Sequence, residues 1–207
     1  DPPESRRDWE EVLRIAEKLG KEQWAARAWG ELAILAFLEG DARRARDMMT
    51  KAVILARLYG DVAAQIRYFT IIGQGFVEMG RAEEGLEYLD RALDVAAKHL
   101  EVSFPMLAHT GRATALVRLN RRSEAEAALN QILGRARDTN RTDYEADLHA
   151  RLGILEAQAN ETRSAIGHLQ QAAVLARRTQ VYRIEATSEL QLAKLHAAAG
   201  DHAKVRA

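Results

Sequence analysis

Glycine or asparagine recurs at multiples of twenty along this chain, at Gly20, Gly40, Gly60, Gly80, Asn120, Asn140, Asn160 and Gly200. These two residue types enter the left-handed backbone conformation at least cost, which suits them to the position just past a helix C-terminus. Proline falls only at positions 2, 3 and 105, so about a hundred residues on either side of Pro105 lack the strongest helix breaker. Ala, Leu, Glu and Arg dominate the intervals, and no stretch sustains the period-2 alternation of a half-buried strand. Each block of twenty is therefore predicted to be one helix plus one turn, with Asp41, Asp61 and Asp201 placed to cap the helix that follows. The missing punctuation is at position 100, where Leu stands in the segment His99 to Pro105. There Ser103 is expected to cap a helix whose first turn holds Pro105, in a junction that is either an ordinary longer connection or a bend.

The period doubles to forty when small residues are compared. Ala33, Gly73, Ala113, Gly153 and Ala193 form one series, Ala16, Ala56, Ala96, Ala136 and Ala176 a second, and Ala45, Gly85, Ala125 and Ala165 a third. Small residues let helix axes approach, and Met49, Leu89, Leu129 and Leu169 supply bulk to fill the space between them. Two helices thus make one repeat, and stacked helical hairpins are the predicted architecture.

Composition narrows the function. Thirty basic residues balance thirty acidic ones, which argues against a general nucleic-acid or membrane-surface protein. Cysteine is absent, which removes disulfide scaffolds, thiolate metal sites and cysteine nucleophiles. No apolar run approaches the length of a membrane span and no signal-peptide pattern opens the chain, so a soluble, cytoplasmic protein is expected. The chain starts at Asp1 without an initiator Met, which suggests a fragment of a larger protein.

Trp29, Leu32, Ala33, Gly40, Ala45 and Ala52 carry a pattern that resembles the tetratricopeptide repeat family, and Phe69, Ile72, Gly73, Gly80, Gly85 and Ala92 repeat it. Leu152, Gly153, Ala165 and Ala172 keep it in a later copy. The period of forty and the lack of the family's terminal proline depart from that pattern and look like the longer repeats of bacterial regulatory and signalling proteins. The resemblance implies an all-α, right-handed α–α superhelix of about ten antiparallel helices, formed as a single solenoid over residues 1–207. A half repeat at 1–20 is followed by repeats at 21–60, 61–100, 101–140 and 141–180 and a partial repeat at 181–207. Leu190, Leu192 and Leu195 on the last helix look uncapped, which leaves room for further parent sequence or a homodimer contact.

In the family the first helix of each pair lines a concave, ligand-binding surface. Carried onto this sequence, the matching positions are Arg27, Glu31, Ile34 and Leu38, then Arg67, Thr70, Ile71, Gln74 and Glu78, then Thr110, Thr114 and Arg118. Asp147, Arg151, Ile154, Gln158, Gln191 and Lys194 continue the face. The resemblance implies a protein or peptide partner held in this groove, or alternatively a ligand-sensing module that controls an attached enzymatic or DNA-binding domain in a bacterial signalling or transcription regulator. The carboxylate clamp of chaperone-binding members is not expected, because Gly30 and Ile34 stand at two of its places.

Between Met106 and Arg141 seven arginines face three acids, whereas Val62 to Lys98 holds four bases and six acids. An acidic partner near Arg112 and Arg118 follows as one expectation, and arginines that pair with nearby acids as the other. Gly75 replaces leucine of other repeats and leaves space for a ligand backbone or an aromatic ring. Trp9, Trp24, Trp29 and Tyr68 fall mainly at core-facing intervals. His109 and His149 share a register position, but neighbouring repeats are separated by a packing layer of about 8–10 Å or more, too far for one zinc, and both are expected to be groove or packing residues. Neither catalysis nor a metal or cofactor is expected, and direct nucleic-acid binding is disfavoured by the neutral charge and the scarcity of groove aromatics.

Overall fold

A computed structural model describes residues 2–99 and 105–200. Ten helices are described: α1 (Pro2–Lys18), α2 (Glu22–Leu38), α3 (Ala42–Leu58), α4 (Val62–Glu78), α5 (Ala82–Ala97), α6 (Met106–Arg118), α7 (Arg122–Asp138), α8 (Thr142–Gln158), α9 (Thr162–Thr179) and α10 (Tyr182–Ala198). Among the described residues there is no strand. The helices group into two compact units, Asp1–Asn120 and Arg121–Ala207.

The turns explain why the helices run antiparallel. At Gly40 the backbone swings to φ 80°, its N–H donates to the Phe37 carbonyl at 3.0 Å, and the Asp41 N–H returns to the Ala36 carbonyl at 2.9 Å. This arrangement satisfies the free carbonyls of the outgoing helix and reverses the chain in two residues. Asp41 then caps α3 by accepting from the Arg44 N–H at 3.0 Å, and Asp61 caps α4 through Ala64 at 2.9 Å. All eight punctuating Gly and Asn residues adopt positive φ. The sequence reading missed position 180: Gln180 also takes the left-handed form, at φ 60°, without being a residue type that marks it. Leu100, Ser103 and Asp201 lie outside the described residues. Pro105 takes the cap position of α6, which is shortened to 13 residues where most neighbours have 17.

In the first unit Ala33, Met49, Ala52, Ala56, Tyr68, Ile72 and Phe76 form a buried cluster. The small series works as expected: a Cβ on Gly73 would stand 2.6 Å from Leu89 Cγ and 2.9 Å from the Gly85 carbonyl, so α4 and α5 meet almost backbone to backbone. Gly153 serves α8 and α9 in the second unit, with Leu169 Cγ at 2.7 Å from the same notional atom. Gly75 makes room for an aromatic ring, that of Phe37, which in turn meets Phe76 edge-on with centroids 5.6 Å apart. Trp29 is half-buried and Tyr68 buried, but Trp24 is 54% exposed, against the expected core position.

Candidate functional site

In the first unit the first helices α2, α4 and α6 lie in contact in sequence, whereas α3 and α5 are bridged by long side chains, Arg46 reaching Glu84 at 2.6 Å. Closer approach on the first-helix side makes it the inner side of the layer. The predicted groove residues of this unit are carried on that side, with differing fates.

Arg27 is exposed, and its guanidinium lies 5.8 Å from the ring centroids of both Trp9 and Trp24. Arg67 stands at the equivalent place one repeat later, 4.9 Å from the Tyr68 ring centroid, and donates to the Tyr68 hydroxyl at 3.2 Å. Burial pushes the Tyr68 phenol up, opposed by the Arg67 charge. With Gln23, Tyr59 and Asp61 these arginines line a cleft of about 130 Å³. Glu31, Ile34 and Ile71 are half-buried and Glu78 is exposed, while Leu38 at the end of α2 is 75% exposed. Gln74 donates from its amide to the Leu107 carbonyl at 3.3 Å and ties α4 to α6.

Four of the predicted contact residues are engaged within the fold. Thr70 and Thr110 are buried, and their hydroxyls donate back to the Ile66 and Met106 carbonyls, which withdraws them from a ligand. Arg112 pairs with Asp90 of α5 at 2.6 Å, and the exposed Arg118 donates one N–H to the Val77 carbonyl. Four more arginines of the segment pair with acids: Arg121 with Glu124, Arg122 with Glu126 and Glu161, Arg137 with Glu145 and Arg141 with Asp143. Thr114 donates to the Thr110 carbonyl. At Gly30 the Tyr68 ring would stand 2.6 Å from a Cβ, so a clamp lysine has no room.

In the second unit Arg151 pairs with Asp147 at 2.6 Å, Ile154 is half-buried, and Gln158 and Lys194 are exposed. Leu192 is buried and Leu195 half-buried, so of the three leucines expected to be uncovered on α10 only Leu190, 55% exposed, fits that description. Sequence reasoning singled out His149 but missed its partner: His149 is buried and its ring meets His168 edge-on, centroids 5.1 Å apart. His168 belongs to no series at period forty, so no sequence signal marked it. Among the described residues no three His, Asp or Glu side chains converge as a metal site, and no helix is long and apolar enough to cross a membrane.

No protein-family model matches the chain, and no curated protein matches it by sequence. Solved structures do match. The structure of BtubC (BKLC) from P. vanneervenii is similar over 100% of this chain and 87% of its own, at 17% identity and a TM-score of 0.86. Aspartyl phosphate phosphatase F from Bacillus subtilis matches 94% of this chain at 12% identity and a TM-score of 0.78, and this chain spans about half of it, 51%. A signal transduction ATPase (STAND) protein with a tetratricopeptide repeat sensor from Pyrococcus horikoshii matches 94% of this chain at 17% identity and a TM-score of 0.70, with 29% of its own length covered. Helical hairpins closed by left-handed turns, a forty-residue packing period and these likenesses together give the chain the tetratricopeptide-like repeat fold that its sequence resembles.

Proposed function

We propose that this chain is a protein-interaction module without chemistry of its own, which receives an extended, acidic peptide segment of a partner on the first-helix side of its first unit. One observation carries the reading. Arg27 and Arg67, one repeat apart, rest on aromatic rings, and among the described residues neither pairs with a carboxylate. A guanidinium shelved on a ring keeps its donors directed outward and loses little freedom on binding, so it favours a carboxylate at small entropic cost. Leu38 and Leu107, exposed on α2 and α6, add apolar anchorage. This reading puts the acidic preference at the cleft lined by Arg27 and Arg67, where the sequence had suggested it near Arg112 and Arg118.

Selection from a displayed random peptide library, followed by calorimetric titration of the enriched peptides, tests this reading. Enriched sequences should be acidic, and Arg67→Glu should weaken them at least about tenfold, whereas Arg163→Glu on α9 should leave binding unchanged. Neutral or basic consensus peptides, or equal binding to all three proteins, would reject it.

A second reading is a ligand-sensing regulatory module acting on an attached domain. The similar STAND protein described as having a tetratricopeptide repeat sensor favours it. Ligand-dependent activity in a parent chain, with no affinity for separate partner peptides, would select this reading over the first.

A further inference from the structure

The second unit holds a cluster of ionisable side chains that peptide recognition does not use. His149 of α8 is 4% exposed, and its ring stands at 86° to that of His168 on α9. From α7, Arg137 donates to His149 Nε2 at 3.1 Å and to Glu145 Oε1 of α8 at 2.9 Å. Arginine has no acceptor, so this contact requires a lone pair on Nε2: His149 is neutral and carries its proton on Nδ1. That Nδ1 is buried with no hydrogen-bond partner among the described residues. Beyond it Glu156 accepts from Ser164 at 2.7 Å through Oε1, while its Oε2, 3.8 Å from His168 Nδ1, is likewise buried without a hydrogen bond. From α10, which packs on α8 and α9, Glu185 and Glu189 are held by Arg177.

We infer that this cluster is an acid-operated latch: a proton taken up by His149 transfers Glu145 from Arg137 to the imidazolium and releases the tie between α7 and α8. A solvent proton on Nε2 turns the acceptor of the Arg137 bond into a donor, so guanidinium and imidazolium then face each other with like charge. Glu145 Oε1 already lies 3.8 Å from His149 Nε2, one helical turn away on the same helix, and is placed to accept from the new N–H.

Burial first, then the charges of His168 and Arg137, lowers the His149 pKa from 6.5 to about 4 in the folded chain. The unfolded chain takes up this proton near 6.5, so the stabilisation is complete above that pH and is lost as pH falls toward 4. The ratio of folded to unfolded protein should therefore drop about 30-fold between pH 7.5 and pH 5 through this group alone.

Urea unfolding of the whole chain at both pH values, beside His149→Gln, whose carbonyl still accepts from Arg137 but does not titrate, reads this drop. The wild type should show it and the variant should lack it. NMR of the histidine ring nitrogens in the wild type, which needs no variant to fold, should show the Nδ1–H tautomer of His149 at neutral pH. Glu145→Gln should lower the His149 titration point further. An Nε2–H tautomer, a His149 titration near that of a free histidine, a Glu145→Gln variant with an unmoved His149, or full acid sensitivity retained in His149→Gln would each overturn the latch.

Discussion

The approach of α4 to α5 can be tested one methyl group at a time. Gly73→Ala places a Cβ 2.6 Å from Leu89 Cγ and 2.9 Å from the Gly85 carbonyl oxygen, and Leu89 is fully buried, so neither neighbour has space to retreat. Gly85→Ala is tighter still, with Val77 Cγ2 at 2.5 Å and the Gly73 carbonyl oxygen at 2.6 Å. Alanine in a helix interior gains about 1 kcal/mol over glycine. Overpacking a closed core costs about 1–3 kcal/mol, and more where the obstacle is backbone. The net expectation is a loss of about 1–2 kcal/mol for Gly73→Ala and a larger loss for Gly85→Ala. Gly167→Ala on α9 meets nothing within 4 Å and should show the propensity gain alone. All three tryptophans, Trp9, Trp24 and Trp29, lie in the first unit, so urea unfolding followed by indole fluorescence reports on that unit while circular dichroism reports on both. Gly73→Ala and Gly85→Ala should lower the fluorescence midpoint, and Gly167→Ala should raise the dichroism midpoint. Wild-type or greater stability in both α4–α5 variants, with Gly167→Ala behaving as expected, would refute the claim that these glycines exist for close packing.

Gln180→Gly should stabilise the second unit by about 1 kcal/mol in the dichroism midpoint, because the left-handed turn at φ 60° then carries no Cβ penalty. Asp61→Ala should cost about 1 kcal/mol through the uncapped N-terminus of α4, and Asp61→Asn much less. Arg118→Glu should lower the stability of the first unit by about 1–2 kcal/mol, since it removes the bond to the Val77 carbonyl; a variant as stable as wild type would show that this bond contributes nothing.

The fold was legible because its determinants are local and repeated. A residue able to take positive φ, followed by a capping residue, sets each turn, and the same small residue forty positions on sets each close contact, so both signals survive in a linear reading. Gln180 escaped notice because a turn closed by its neighbours holds an unfavourable residue in place: the Val181 N–H still returns to the Ala176 carbonyl at 2.9 Å. The groove was legible only as a register. Thr70 and Thr110 share a register with Gly30 and Ala150, and all four are buried, while both hydroxyls turn back onto their own helices.

Charge was the least readable property. The excess of arginine between Met106 and Arg141 left open either an anion site or pairing with nearby acids; Arg121, Arg122 and Arg141 pair within four residues, while Asp90, 22 residues before Arg112, and Glu161, 39 after Arg122, come from distant stretches. Arg27 and Arg67 were legible as groove positions, but the aromatic rings against which their guanidinium groups lie were not. Sequence alone determined the helices, their turns and their pairing, since backbone conformation and side-chain volume act between near neighbours or at a constant interval. Tertiary structure decided which charges pair within the fold and that His149 is enclosed beside His168, because pairing and burial depend on what the other helices bring within a few ångströms.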